Sequence, residues 1–168
     1  MVNAAIMITW LRILLVPVFA AVLYLPIPEK QWIAVAVFCF AALTDALDGY
    51  VARRFNQATE FGATLDPVAD KLLVATALIF LIGEGVPIWM AWVLIIRDFA
   101  IVSLRLAVKR KRVIRPSLMG KLKTMFEMLG IILVLLQVEV ATSVLFIAVI
   151  LSVVSGIEYV WQFRRELR

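Results

Sequence analysis

The sequence predicts an all-α polytopic membrane protein, with six transmembrane helices around a polar chamber that faces the cytoplasm. Three observations carry this. The 168-residue chain is 64% apolar with a mean hydropathy of +1.03. A soluble domain sits near half apolar, and a chain this short cannot hide so much apolar surface in an aqueous core. Six apolar stretches, each close to the roughly 20 residues that cross a bilayer, run about 5–25, 31–53, 62–82, 87–108, 120–138 and 141–162. Lys and Arg collect in alternate breaks between them.

The first stretch carries Arg12 early and continues past it, unlike a cleavable signal. PIPEKQ separates it from the second, which begins QWIAVAVFCFAAL and then runs into Asp45, Asp48 and Arg53. RFNQATE follows, and the third stretch opens with Asp66, Asp70 and Lys71 in its first turns. After GEGVP, the fourth holds Arg97 and Asp98 near its middle and Arg105 late. VKRKRVIRPS leads to the fifth, with Lys121 and Lys123 early and Glu127 beyond them. QVEVA leads to the sixth, with Glu158 late. No linker, repeat or low-complexity tract interrupts the order, so residues 1–168 read as one domain.

Sidedness follows from the bias of cations toward the cytoplasm. Arg53, Arg54, Lys109, Arg110, Lys111, Arg112, Arg115, Arg164, Arg165 and Arg168 fall on one side, and Lys30 alone on the other. Both termini are expected in the cytoplasm. The net charge of +5 is mostly this collar, which suits anionic lipid. The KRKR run has no interleaved aromatics, so no nucleic-acid partner is expected. A single cysteine, Cys39, excludes an internal disulfide, and zero histidines exclude imidazole chemistry and ordinary zinc sites.

An ionisable group at membrane depth costs about 2.5 kcal/mol or more, so it marks a functional site by default. With this topology nearly all the charges inside the spans lie in the cytoplasmic half. Asp45, Asp48 and Ala52 stand at i, i+3 and i+7, and Gly62, Asp66 and Asp70 at i, i+4 and i+8, so each set shares a helix face. Two adjacent antiparallel helices then present four carboxylates that would resist ionisation together. Divalent cations remove that conflict, and oxygen-only ligands suit Mg²⁺, Mn²⁺ or Ca²⁺. Gly49, Ala52 and Gly62 either let helices pack closely or leave room for a bulky nucleotide.

The stretch Asp45–Asp70 resembles the signature of the CDP-alcohol phosphotransferases, D-x2-D-G-x2-A-R-x8-G-x3-D-x3-D. All eight fixed positions match over 26 residues: Asp45, Asp48, Gly49, Ala52, Arg53, Gly62, Asp66 and Asp70. The similarity extends along the chain, through Asn3, Thr9 and Arg12, ARRFNQAT, LDPVADKLL, RDFAIVSLR, GKLKT and SGIEY. It is strongest to bacterial members whose acceptor is sn-glycerol 3-phosphate. One departure is Ala5, where a proline is expected.

The resemblance implies transfer of the phosphatidyl group of CDP-diacylglycerol to that acceptor, with release of CMP, in a bacterial inner membrane. It implies two Mg²⁺ or Mn²⁺ ions held by Asp45, Asp48 and Asp66 with Asp70, the last also the general base. It implies CDP-diacylglycerol contacts at Asn3, Thr9, Asp48, Gly49, Ala52, Arg53 and Gly62, and a homodimer. Arg105 and Lys121 lead the expected acceptor-phosphate site, followed by Lys123, Arg97 and Lys71. Lys71 could instead steady the carboxylates, and Arg97 could pair with Asp98. Two alternatives compete: a cardiolipin-forming enzyme of the same fold using phosphatidylglycerol, and a divalent-cation transporter. The second needs acids continuing to the far side, where Glu29, Glu84 and Glu139 lie only in or beside breaks.

Overall fold

The computed structural model describes residues 4–55, 62–108 and 118–166, with side chains over 10–44, 67–104, 106 and 118–162. Six α-helices fill these segments: α1 Ala4–Tyr24, α2 Lys30–Phe55, α3 Gly62–Phe80, α4 Ile88–Val108, α5 Leu118–Leu135 and α6 Ala141–Glu166. Each coincides with one expected apolar stretch to within a few residues. Among the described residues there is no β-strand, only an isolated bridge between Ile82 and Val86. The all-α expectation therefore holds. One described helical segment, Ala141–Gln162, is by itself long and apolar enough to cross a membrane, while Trp10–Tyr24 and Lys30–Thr44 are shorter apolar runs.

The chain divides into two compact units, Met1–Phe80 and Leu81–Arg168. In the first, α1 packs on α2 and α3. Phe19 and Phe38, both fully buried, meet with ring centroids 5.7 Å apart and lock α1 to α2. Small buried residues (Ala34, Ala41, Ala69 and Ala77) let backbones approach. Glu29 turns the chain with φ 58°, and the Lys30 ammonium donates to the Leu23 carbonyl at 3.3 Å. That satisfies an acceptor left over at the end of α1.

In the second unit, α4 and α5 both pack on α6. A tight turn opens it: Gly83 and Gly85 take φ 86° and 124°, backbone that only glycine adopts without strain. The Thr142 hydroxyl donates to the Gly85 carbonyl at 2.9 Å, tying this turn to the start of α6. α5 meets α6 closely at Gly130. A Cβ built on Gly130 would stand 2.6 Å from Leu145 Cδ2, so only glycine fits as the helices are placed. Gly130, Ile131, Val134 and Leu135 line the buried face of α5.

Candidate active site

The polar sequence that follows the apolar half of α2 does not end the helix. α2 continues unbroken through Asp45, Asp48, Gly49, Ala52 and Arg53 to Phe55. α3 begins at Gly62 and carries Asp66 and Asp70. The expected helical spacing of both carboxylate sets is thus realised in the backbone. Thr44, just before the first aspartate, is buried, and its hydroxyl donates to the Ala41 carbonyl at 2.7 Å. The helix interior therefore absorbs that polar group itself, and the polarity left for other work begins at Asp45.

The side chains of Thr9, Asp45, Asp48, Gly49, Ala52, Arg53, Gly62, Asp66 and Arg105 lie outside those described, and Asn3 lies outside the described residues altogether. Asp70 is described. It is half-buried, and its Oδ2 sits 3.1 Å from the Lys71 ammonium. Lys71 thus stands beside a carboxylate of the signature.

The second unit holds a separate charged cluster. Arg97 spends its donors in three directions: to Asp98 Oδ1 at 3.0 Å, to Ser155 Oγ at 2.6 Å and to the Ser152 carbonyl at 3.3 Å. The Ser155 hydroxyl donates its own hydrogen bond to the Leu151 carbonyl at 2.6 Å. Lys123, fully buried, donates to Asp98 Oδ1 at 2.5 Å and to Glu127 Oε2 at 2.7 Å. Asp98 and Glu127 are buried as well. A lone buried charge would be prohibitive, and paired, hydrogen-bonded ones are the form the interior accepts.

Lys121 and Lys123 separate at this point. Two residues apart on a helix is about 200°, so the two cannot share a face. Lys123 lies inward among carboxylates, whereas Lys121 is exposed and makes no ion pair with a described residue. Glu158, in α6, accepts a hydrogen bond from Gln162 at 3.3 Å.

Sequence reasoning anticipated the Arg97–Asp98 pair. It missed the serines on α6 that hold Arg97, and it gave Lys123 no specific carboxylate partner. One signal was present for the latter: Lys123 and Glu127 stand at i, i+4 in GKLKTMFE, the spacing at which helical side chains meet. Nothing in the sequence tied either to Asp98.

Chemically, α2 and α3 carry an oxygen-only donor set suited to hard divalent cations. α4 and α5 carry cations, of which the exposed Lys121 keeps its charge available.

Comparison with known proteins identifies the family. The family model for CDP-alcohol phosphatidyltransferase matches residues 2–154. A protein of Mycobacterium tuberculosis strain H37Rv named probable phosphatidylglycerophosphate synthase is 38% identical over 174 residues, covering 98% of this chain and 83% of the relative. The CDP-diacylglycerol–glycerol-3-phosphate 3-phosphatidyltransferase of Escherichia coli K12 is 37% identical over 179 residues, covering 98% and 97%. That of Shigella flexneri serotype 5b matches to the same extent. The chain belongs to the CDP-alcohol phosphatidyltransferase family.

Proposed function

We propose that this family member transfers the phosphatidyl group of CDP-diacylglycerol to sn-glycerol 3-phosphate, giving phosphatidylglycerophosphate and CMP, as a step of phospholipid biosynthesis. The observation that carries the reading is the near-full-length similarity to enzymes named for this reaction, with the whole aspartate signature intact on two consecutive helices.

The proposed chemistry is a direct displacement. The acceptor hydroxyl oxygen bonds to the β-phosphorus, the bond to the bridging oxygen breaks, and CMP leaves. Asp70 takes the hydroxyl proton. No covalent enzyme intermediate is needed, in keeping with a chain without histidine. Asp45, Asp48 and Asp66, with Asp70, are assigned to hold two Mg²⁺ or Mn²⁺ ions. When bound, the ions would supply charge neutralisation at the attacking and leaving oxygens. Arg53 is assigned to the CDP phosphates, with Asn3, Thr9, Asp48, Gly49, Ala52 and Gly62 on the donor side.

The acceptor phosphate needs fixed cations. Arg105 and the exposed Lys121 are assigned to it. Lys123 and Arg97 have their donors on carboxylates and serines, which counts against a direct role for either.

The setting follows from the apolar surface. Trp32, Leu43, Ile79, Ile88, Trp92, Ile96, Ile150 and Ile157 are all exposed large hydrophobics on helices. On that basis we place all six helices in a bacterial inner membrane; the Lys/Arg asymmetry of the breaks argues for a site on the cytoplasmic side, and the family resemblance for a homodimer as the working state.

The test is acceptor-dependent release of CMP by purified protein supplied with CDP-diacylglycerol. Glycerol 3-phosphate should drive release far better than phosphatidylglycerol or an inositol phosphate. Preference for phosphatidylglycerol would instead establish the cardiolipin-forming alternative. Absence of CMP release with every acceptor would refute the enzyme reading.

A further inference from the structure

α4 and α5 each pack on α6; among the described residues their backbones do not approach one another, and the side chain of Lys123 crosses the interval to reach Asp98. The formal charges of Arg97, Asp98, Lys123 and Glu127 sum to zero. Three of the four are buried outright, and Lys123 and Glu127 are wholly closed to solvent. Arg97 extends the chain of contacts to α6 through Ser152 and Ser155.

A hydrophobic contact would hold these helices at least as well. Buried ion pairs bring little net stability, and their best-attested use is to specify one arrangement among several. The arrangement at stake here is the level of α5 against α4. Asp98 and Arg105 are seven residues apart, on one face of α4 and about 10 Å apart along it. Lys121 lies about 3 Å along α5 from Lys123. Whatever fixes Lys123 at the level of Asp98 therefore fixes the level of Lys121 against that of Arg105.

We propose that Arg97, Asp98, Lys123 and Glu127 form a charge-balanced clasp that positions α5 against α4 and α6, and so sets the spacing of the cations that bind the acceptor phosphate. Lys123 is then a positioning residue and not a ligand of the acceptor. This rests on the assignment of Arg105 and Lys121 to the acceptor.

Glu127→Gln separates the alternatives by sign. It leaves Lys123 in place with one carboxylate fewer. The clasp predicts a KM for glycerol 3-phosphate raised about fivefold or more, with KM for CDP-diacylglycerol changed less than twofold. If Lys123 were itself a phosphate ligand, release from a carboxylate would leave the acceptor KM unchanged or lower it, and the proposal would be overturned. An unchanged KM with only a lower Tm would reduce the cluster to a structural role and overturn it equally.

A second arm needs no substrate. Lys123→Met removes the ammonium shared by Asp98 and Glu127 and leaves the cluster with one uncompensated negative charge, and its Tm should fall by on the order of 10 °C, or the protein should fail to accumulate. The charge-balanced double variant Lys123→Met, Glu127→Gln, which leaves the Arg97–Asp98 pair in place, should recover most of that loss. Lys123→Met with wild-type Tm would overturn the clasp. Failure of the acceptor assignment looks different: wild type would release no CMP with glycerol 3-phosphate, while the Tm values of these variants would still show whether the clasp exists.

Discussion

Replacing Gly130 by alanine should loosen the second unit by a predictable amount. The added Cβ would lie 2.6 Å from Leu145 Cδ2, 2.7 Å from its Cγ and 3.3 Å from its backbone nitrogen. Carbon atoms prefer about 3.5–4.0 Å, so something must move by about 1 Å. Leu145 is fully buried and has no solvent to retreat into. Overpacking costs about 1–3 kcal/mol, and two contacts under 3.0 Å against a fully buried side chain put this one at about 2–3 kcal/mol, offset by about 1 kcal/mol from removing a glycine from a helix interior. The net loss is about 1–2 kcal/mol, which in a chain of this size lowers Tm by roughly 2–8 °C. Gly156→Ala is the internal control, because its Cβ would meet only Arg97 Cγ at 3.8 Å and Nε at 4.0 Å. That is ordinary contact, and the helix gain alone should raise Tm by roughly 2–4 °C. Leu145→Ala alone should cost about 2–5 kcal/mol. Combined with Gly130→Ala it should cost less than the sum, since the new methyl enters the vacated space. The assay is thermal unfolding in one detergent, followed by tryptophan fluorescence. A Gly130→Ala protein as stable as wild type, or a strictly additive double variant, would refute the account of this crossing.

Four other outcomes are expected. Activity should vanish on rigorous chelation and return with Mg²⁺ or Mn²⁺, because the signature offers carboxylates and no nitrogen or sulfur ligand; full activity without metal would end the two-ion assignment. Asp70→Asn should lower kcat by about 10²–10⁴-fold, the usual loss for a general base, with little change in CDP-diacylglycerol binding; near-normal turnover would place the base elsewhere. Arg105→Ala should raise KM for glycerol 3-phosphate roughly tenfold or more, from the loss of a charge-assisted contact of about 1.5–3 kcal/mol, whereas Arg112→Ala, in the KRKR run, should change it little. In a Cys39→Ser background, Glu29→Cys should be labelled from outside intact cells and Gln57→Cys should not; the reverse pattern would invert the proposed orientation.

The helices were legible because apolar run length and the polar breaks between them are local properties. The third stretch reads to 82 in the sequence but ends at Phe80 in the structure, because the turn closed by Gly83 and Gly85 already begins at Leu81. The fifth starts two residues earlier than expected, at Leu118, and ends sooner, at Leu135, before Gln137 takes φ 56°. α6 continues past 162 to Glu166, since its polar end is helical too. The signature was legible because its residues are fixed in spacing along two neighbouring helices. What the sequence hid is rotation and distance between helices. Arg97 and Ser155 are 58 positions apart, and no periodicity within α4 or α6 says that they meet. Likewise Lys121 and Lys123 both read as acceptor-site cations, Lys121 ahead of Lys123, and the buried position of Lys123 among carboxylates shows only once the inner face of α5 is known.

The central claim is that the phosphate and glycerol of the acceptor enter a lipid. Purified protein in detergent micelles with CDP-diacylglycerol, Mg²⁺ and radiolabelled sn-glycerol 3-phosphate should move label into the organic phase, one equivalent for each CMP released. Wild type should do so, and Asp45→Asn should not. CMP released with no label in the organic phase would mean a different acceptor or simple hydrolysis. That result would contradict the proposed reaction even with the metal site and the helical fold as described.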